Sequence, residues 1–254
     1  MQDAHSHLQD PRLDGIRNNI IKTMVERGVS RCVVNGTSPK DWQLVADLAK
    51  AYPELIIPSF GLHPWQDPSP QWFRQLTSYL DNVPHACVGE CGLDRWVENY
   101  DIKIQEDVFV SQLELATKRN LPLSIHCLKA WGLMLEILES KALPERGFLL
   151  HSYSGSAELV TRLASLGAYF SFSGYFLHER KQNLRDTFKI IPPERILIET
   201  DAPDMLPPES CIEHRLKLEL NHPANINKIT TEASRTINTS RIHDNFVRFF
   251  ELGF

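Results

Sequence analysis

Short apolar segments alternate with longer amphipathic segments along most of the chain. Eight segments have the β-branched, aromatic or alternating pattern that is typical of buried strands. They lie at residues 3–7, 31–36, 55–64, 85–94, 121–127, 147–153, 168–174 and 196–203. Between several of them, apolar residues recur at three- to four-residue spacing, which predicts amphipathic helices. These helices are predicted at residues 13–28, 41–52, 104–120, 131–142 and 157–167.

The alternation of strands and helices predicts an α/β fold with a parallel sheet. Two topologies are compatible with it: an open doubly wound sheet and a closed (β/α)8 barrel of the TIM type. The count of eight strands favours the barrel. No Gly/Ser-rich linker, low-complexity tract or shift in composition marks a boundary, so residues 1–254 are predicted to form a single domain.

The composition is that of a globular protein, with 42% hydrophobic and 23% charged residues. No stretch approaches the roughly 18 uninterrupted apolar residues that a membrane span needs. The N-terminal residues are polar and lack an apolar run of the signal-peptide type, so we expect a cytoplasmic protein. The five cysteines show no framework spacing and are predicted to be free thiols.

The net charge of −5 disfavours one class of function, the non-specific coating of nucleic acid. Proteins that coat nucleic acid without specificity rely on many contacts between Lys or Arg and phosphate, and an acidic chain is poorly suited to this. An enzyme that binds one or two phosphates locally remains compatible, because bound divalent cations can supply the positive charge.

Potential metal ligands lie at the ends of most predicted strands. The set consists of His5, His7, Glu90, His126, His151 and Asp201. In a parallel barrel the carboxyl ends of the strands share one rim, so these side chains are predicted to converge there. Imidazole and carboxylate groups are the ligands expected for Zn²⁺, Mn²⁺ or related ions. His5 and His7 are two residues apart on a strand, which places both imidazoles on the same side.

Glu90 and Asp201 are the candidate catalytic residues. Burying the Glu90 carboxylate in an apolar strand is costly unless it is paired or metal-bound. It could bridge two cations roughly 3.5–4 Å apart, and a salt bridge to Arg95 is the alternative. Asp201 could bind a metal and accept a proton from the attacking water, and a turn-forming role before Pro203 is the alternative.

Three other residues are candidates for contact with substrate. His63 ends the third strand and is predicted to contact substrate rather than metal. Arg95 and Lys129 lie on loops that leave strand ends and could contact phosphate, although solvated loop charge is the simpler interpretation. Glu199 shares the face of Asp201 by strand alternation, which makes it a candidate partner of the site. The other histidines of the C-terminal half are predicted to lie on the surface: His178, His214, His222 and His243.

With these residues in view, the chain resembles the TatD family of metal-dependent deoxyribonucleases, within the wider amidohydrolase-like barrels. The resemblance extends from residue 3 to about residue 235, and its pieces appear in the order and spacing of the family. The matching pieces are DAHSHL (3–8), FGLHPW (60–65), VGECGLD (88–94), Q-x6-QLxLA (105–116), LPLSIHC (121–127), HSYSGS (151–156) and ETDAP (199–203).

The resemblance implies a site for two divalent metal ions. His5, His7 and Asp201 would bind one ion, His126 and His151 the other, and Glu90 would bridge them. It also implies hydrolysis of DNA phosphodiester bonds, often as a 3′–5′ exonuclease, supported by Mg²⁺ or similar ions. A metal-activated water would attack phosphorus while Asp201 accepts its proton.

Two features depart from the family pattern. The H-x-H pair begins at residue 5, so a shortened or distorted first strand is expected. Leu128 occupies a position where relatives often carry Arg, which leaves Lys129 as the nearby cation.

Two other functions remain open from the sequence. The first is an amidohydrolase-type hydrolase of a small phosphoester, lactone or amide. Many such barrels bridge their metals with a carboxylated Lys at the fourth strand, where this chain has Glu90, and this favours the nuclease. The second is a non-catalytic binding module on the same barrel, which the complete set of ligand residues disfavours. The choice between DNA and RNA, the physiological metal and the oligomeric state stay open.

Overall fold

Eight parallel strands form one sheet in which each strand pairs with the next along the chain. The structure, a computed structural model, describes residues 1–250. The strands are β1 (Gln2–Ser6), β2 (Arg31–Asn35), β3 (Ile56–Phe60), β4 (Cys87–Asp94), β5 (Leu123–Leu128), β6 (Phe148–Leu150), β7 (Ala168–Ser173) and β8 (Ile196–Glu199). Every strand expected from the sequence is therefore present.

The sheet closes where the end of β1 meets the segment after β8. The backbone N–H of His7 donates to the carbonyl of Ala202 at 2.6 Å, and that of Asp201 donates to the carbonyl of His5 at 3.0 Å. These contacts bring the last strand back to the first, and the predicted (β/α)8 barrel is confirmed.

Strand β1 is irregular, as the sequence predicted, but it is not shortened, because its five residues equal those of β2 and β3. Its pairing with β2 shifts register between Asp3 and Ser6. The buried Asp3 carboxylate accepts hydrogen bonds from the backbone N–H of Thr200 at 2.9 Å and from the Thr200 hydroxyl at 2.5 Å. A side chain thus supports the junction of β1 with β8 where the ladder is incomplete.

Nine α-helices lie within residues 1–250. They are α1 (Arg17–Glu26), α2 (Trp42–Ala51), α3 (Trp72–Asn82), α4 (Ile102–Arg119), α5 (Trp131–Ser140), α6 (Ala157–Ser165), α7 (Gln182–Ile190), α8 (Ile226–Ala233) and α9 (Ile242–Phe250). The five helices expected from apolar spacing are α1, α2, α4, α5 and α6. None of the nine is long and apolar enough to cross a membrane.

Helix α4 fixes the carboxyl ends of two strands. Asp101 begins the helix by accepting hydrogen bonds from two backbone N–H groups of the first turn. The buried Gln105 side chain accepts from the N–H of Asp94 at 2.8 Å and donates to its carbonyl at 2.9 Å. The buried Gln112 side chain accepts from the N–H of Leu62 at 2.8 Å. Strand β4 and the segment after β3 are thereby held in place at the rim.

The two ends of the barrel differ in chemistry. At the amino-terminal end, Phe246 and Phe249 of α9 pack with inward apolar residues of the strands, such as Val33 and Leu197. Polar and charged side chains are buried at the carboxyl-terminal end.

All five cysteines are buried free thiols, as predicted. The assignment of the whole chain to a single domain stays a prediction.

Candidate active site at the carboxyl ends of the strands

The six side chains predicted as metal ligands converge at one end of the barrel. His5, Glu90 and His126 lie on β1, β4 and β5, and the others follow β1, β6 and β8 directly or within two residues. His5 and Glu90 are buried, together with His151 and Asp201. The strand-end pattern therefore brings together residues that are far apart in sequence, as the barrel topology requires.

Glu90 lies at the centre of this cluster, and its two oxygen atoms face different pairs of histidines. Oε2 is 3.2 Å from Nε2 of His5 and 3.2 Å from Nε2 of His7. Oε1 is 2.9 Å from Nδ1 of His126 and 2.9 Å from Nε2 of His151. This arrangement suits a carboxylate that bridges two positive centres.

Asp201 lies on the side of the cluster that contains the first histidine pair. Its Oδ1 is 3.5 Å from Nε2 of His7 and 3.8 Å from Nε2 of His5. Its backbone is left-handed, with φ of 54°, which is uncommon for a residue other than glycine. The turn after β8 thus aims this carboxylate into the barrel mouth rather than along the strand.

The nitrogen atoms within each histidine pair also face one another. Nε2 of His5 is 3.3 Å from Nε2 of His7, and Nδ1 of His126 is 3.2 Å from Nε2 of His151. Two ring nitrogens and a carboxylate oxygen that point to one space form a donor set suited to a divalent cation. The described residues therefore include groups that could bind metal.

His63, which was predicted to contact substrate rather than metal, lies directly beside this cluster. Its Nε2 is 3.3 Å from Oε1 of Glu90, and it forms a possible metal-binding group with Glu90 and His126. Burial lowers the pKa of His63 to about 4, which keeps its ring neutral and able to bind metal. The geometry is compatible with metal binding as well as substrate contact.

Arg95 and Lys129 lie at the rim but outside the histidine cluster. Both side chains are exposed. The backbone N–H of Arg95 donates to the carbonyl of Leu128, which joins the two loops that leave β4 and β5. Glu90 is buried among histidines instead, so its surroundings do not match the alternative of a salt bridge to Arg95.

Asp94 contacts the site although the sequence analysis did not select it. Its buried carboxylate accepts hydrogen bonds from Nε2 of His126 at 3.0 Å and from Nε1 of Trp65 at 2.7 Å. These contacts, with burial opposing them, lower the pKa of Asp94 to about 2. A signal was present, because Asp94 lies four residues after Glu90 and alternation places both on one side of β4.

Glu199 is a partner of the cluster, as its position on the face of Asp201 suggested. It accepts hydrogen bonds from the Ser152 backbone N–H at 2.8 Å and hydroxyl at 2.6 Å, and from the Ser171 hydroxyl. Its Oε1 is 3.6 Å from Nδ1 of His151. Glu199 thus lies behind His151, on the side away from Glu90.

The buried carboxylates and imidazoles shift one another's pKa values. Burial alone would raise the pKa of Glu90, but attraction to His151, His63 and His5 outweighs it and lowers the pKa well below its ordinary range. Burial would lower the pKa of His7, but hydrogen bonds to Asp201 and Glu90 raise it well above the usual value. The cluster therefore attracts positive charge, and a metal ion would compete with protons for it.

The surface prediction was wrong for one of the remaining histidines. His222 is buried, and its Nδ1 accepts a hydrogen bond from the backbone N–H of Ala224 at 3.0 Å. Burial lowers its pKa to about 4. His222 caps a short 3-10 helix (Pro223–Asn225). A single histidine in a polar segment does not by itself indicate this role.

Known proteins match this chain over most of its length. The sequence profile described as "TatD related DNase" matches residues 2–250. A protein of Escherichia fergusonii, named 3′-5′ ssDNA/RNA exonuclease TatD, is 32% identical over 214 residues, covering 82% of this chain and 80% of that protein. A protein of the same name from Edwardsiella piscicida is 29% identical over 242 residues, covering 92% and 91%. The solved structure of a TatD homolog from Escherichia coli K12 has a TM-score of 0.89 at 24% identity, covering 100% of this chain and 98% of that one.

Proposed function

Because this chain belongs to the TatD-related DNase family, we propose that it is a divalent-metal-dependent hydrolase of DNA phosphodiester bonds and acts as a 3′–5′ exonuclease. The observation that carries the proposal is the position of Glu90 between two histidine pairs, one at each of its oxygen atoms. The relatives named as ssDNA/RNA exonucleases support single-stranded DNA as the first substrate to test and RNA as the second. The cytoplasmic location stays a prediction.

We propose that two metal ions bind in this cluster. The first would be bound by His5, His7 and Asp201, and the second by His126 and His151, with one Glu90 oxygen directed to each. His63 is a further candidate ligand for the second ion, because it also lies beside Oε1 of Glu90. Mg²⁺ is the ion proposed for activity, as the family resemblance implies. The carboxylates of the cluster suit Mg²⁺ and Mn²⁺, and its imidazoles suit Zn²⁺.

When bound, divalent ions would supply positive charge for the phosphate and lower the pKa of water. The protein's own contribution is to place an acceptor for the proton. Asp201 lies at the mouth of the barrel, where a substrate can approach, and its carboxylate can accept a proton there. Asp94 accepts a hydrogen bond from His126 and fixes the direction in which that ring points. Glu199 lies behind His151, with a carboxylate oxygen 3.6 Å from Nδ1 of that ring.

The test is hydrolysis of a 5′-labelled single-stranded oligonucleotide with Mg²⁺, Mn²⁺ or EDTA. Glu90→Gln and Asp201→Asn should each lower kcat/KM by at least about 100-fold, because each removes a carboxylate that would bind the metal ions, and Asp201→Asn also removes the proton acceptor. Glu136→Gln is the matched control, because Glu136 is an exposed carboxylate on α5.

Shortening from the 3′ end that needs metal and is lost in the two site variants would support the proposal. If wild-type protein binds Mn²⁺ but leaves DNA and RNA intact, the nuclease proposal fails. Small phosphoesters, lactones and amides would then test the amidohydrolase-type alternative, and inactivity toward all of them would favour a binding module.

A further inference from the structure

Large apolar side chains are exposed beside the active site. Trp65 and Tyr100 are 53% and 43% exposed on the loops that follow β3 and β4, and Ile104 is 44% exposed at the start of α4. Trp96, on the same loop as Tyr100, is 59% exposed. Single exposed apolar residues need no explanation, but a group of them on adjacent loops at the barrel mouth is typical of a binding surface.

A cavity of about 250 Å³ lies between these two loops. Its lining includes His63 and Trp65 on one side and Tyr100 and Ile104 on the other. His63 also lies 3.3 Å from Glu90, so the cavity adjoins the histidine cluster directly. The cavity is smaller than the roughly 300–1,000 Å³ typical of pockets for drug-sized ligands, and it suits a single flat ring system.

The Trp65 ring is fixed in place beside the site. Its Nε1 donates to Oδ2 of Asp94 at 2.7 Å, and its ring centre is 4.8 Å from that of His63 in an edge contact. An aromatic ring that is already ordered loses little conformational entropy when a ligand stacks on it. Trp65 is therefore prepared for stacking before any ligand binds.

The charge of the cavity disfavours phosphate as its occupant. Asp67, Glu98 and Asp101 line it, and none of the described lining residues is Lys or Arg. Carboxylates repel phosphate, but they can accept hydrogen bonds from the exocyclic amino groups of nucleobases. An aromatic wall with carboxylate neighbours thus matches a base and not the backbone of a nucleic acid.

From these observations we infer that the cavity binds the nucleobase of a nucleotide that flanks the cleaved bond, by stacking on Trp65 and Tyr100. The inference rests on the proposed nuclease function and assigns the base to one place beside the metal-binding cluster. Stacking on aromatic side chains is tolerant of base identity, because every base has a π-face. The protein would then require a base at this position without requiring a particular one.

The first experiment compares oligonucleotides that carry either a normal nucleotide or an abasic residue at the 3′-terminal or penultimate position. For one of these positions, wild-type kcat/KM should be about 5- to 150-fold higher with the base than without it. Tyr100→Ala should shrink this ratio toward one. Phe73→Ala is the matched control, because Phe73 is 41% exposed on α3 but does not line the cavity, and it should retain the wild-type ratio.

The second experiment measures binding without turnover. Tryptophan fluorescence is titrated with deoxyadenosine, which carries a base but no phosphate, and with deoxyribose. Of the two ligands, only deoxyadenosine should quench the tryptophan fluorescence of the wild-type and Phe73→Ala proteins. Trp65→Phe should remove most of this quenching. If DNA is cleaved but base and abasic substrates are equal at both positions, the base-binding inference is wrong while the nuclease proposal stands. If deoxyadenosine binds as expected but no DNA is cleaved, the nuclease proposal is wrong while the base-binding site stands.

Discussion

Asp94 connects three parts of the candidate active site through one carboxylate. It accepts a hydrogen bond from Nε2 of His126, which leaves Nδ1 of that ring directed toward Glu90. It also accepts from the Trp65 indole and from the backbone N–H of Trp96 at 2.6 Å. A histidine that is oriented in this way can present its other nitrogen to a metal ion with little loss of entropy.

We expect Asp94→Asn to lower metal affinity by about 10- to 100-fold, because partners that orient metal-bound histidines typically contribute this much. The amide can still accept one hydrogen bond, but it lacks the charge that attracts the His126 N–H. Mn²⁺ binding measured by calorimetry would test this. Asp81→Asn is the control, since Asp81 is an exposed residue of α3 that forms an ion pair with Arg119 of α4. Equal Mn²⁺ affinity in wild type and Asp94→Asn would refute the positioning role.

The contrast between Glu90 and Asp94 shows what the sequence can reveal at this scale. Glu90 stands out because a carboxylate at the end of an apolar strand needs a reason to be there. Asp94 ends the same strand on the same face. Its contact with His126, however, depends on the register between β4 and β5, which a single sequence does not contain. The nearness of His63 to Glu90 depends in the same way on how a loop folds after β3.

The backbone of β5 leaves no room for a side chain at one position of β4 beside the histidine cluster. Gly92 is paired with His126 and has a φ of 148°, which side chains other than glycine rarely allow. A Cβ atom at Gly92 would lie 1.9 Å from the carbonyl oxygen of His126. The position of His126 therefore depends on the absence of a side chain on the neighbouring strand.

Gly92→Ala should destabilise the protein by about 2–4 kcal/mol, since either the φ angle or the β4–β5 spacing must change. It should also weaken metal binding, because His126 would move with its backbone. Gly132→Ala is the matched control: Gly132 lies in α5 with no atom within 4 Å of the new Cβ. That change should stabilise the helix by about 0.5–1 kcal/mol. Urea denaturation measures the free energy of unfolding of both variants. A Gly92→Ala protein as stable as wild type would contradict the packing argument.

The helices show that an element can be missed although its pattern is present. Helix α4 has several buried apolar residues at helical spacing and was predicted correctly. Helix α3 was not predicted, although Trp72, Leu76, Tyr79 and Leu80 recur at helical spacing. All four side chains pack in or against the core. How deeply each is buried depends on tertiary packing, which the local pattern does not contain.

At the scale of the whole molecule, barrel closure brings a buried acid to the junction of its first and last strands. Asp3 is fully buried and hydrogen-bonded to Thr200 across that junction. Burial raises the pKa of Asp3 from 3.8 to about 7, because desolvation outweighs the hydrogen bonds that favour the carboxylate. The first and last strands of the barrel therefore meet at a group that titrates near neutral pH.

This shifted pKa couples stability to pH. Between 3.8 and about 7, the folded protein keeps a proton on Asp3 that the unfolded chain has released. The contribution of Asp3 to the free energy of unfolding should therefore be greatest below pH 4, fall as the pH rises to about 7, and stay constant above it. His63, with a pKa of about 4, also titrates in this range, so the effect must be measured as a difference between two variants.

Asp3→Asn supplies that difference, because Asn keeps the shape and the acceptor for the Thr200 N–H but does not titrate. In EDTA, the Tm of wild type minus that of Asp3→Asn should decrease steadily from pH 5 to pH 7 and change little from pH 7 to pH 9. The histidine cluster is the same in both proteins, so its titration largely cancels. Parallel Tm curves across this range would mean that Asp3 is ionised in the folded barrel, and that the Thr200 hydrogen bonds outweigh the cost of burying its charge.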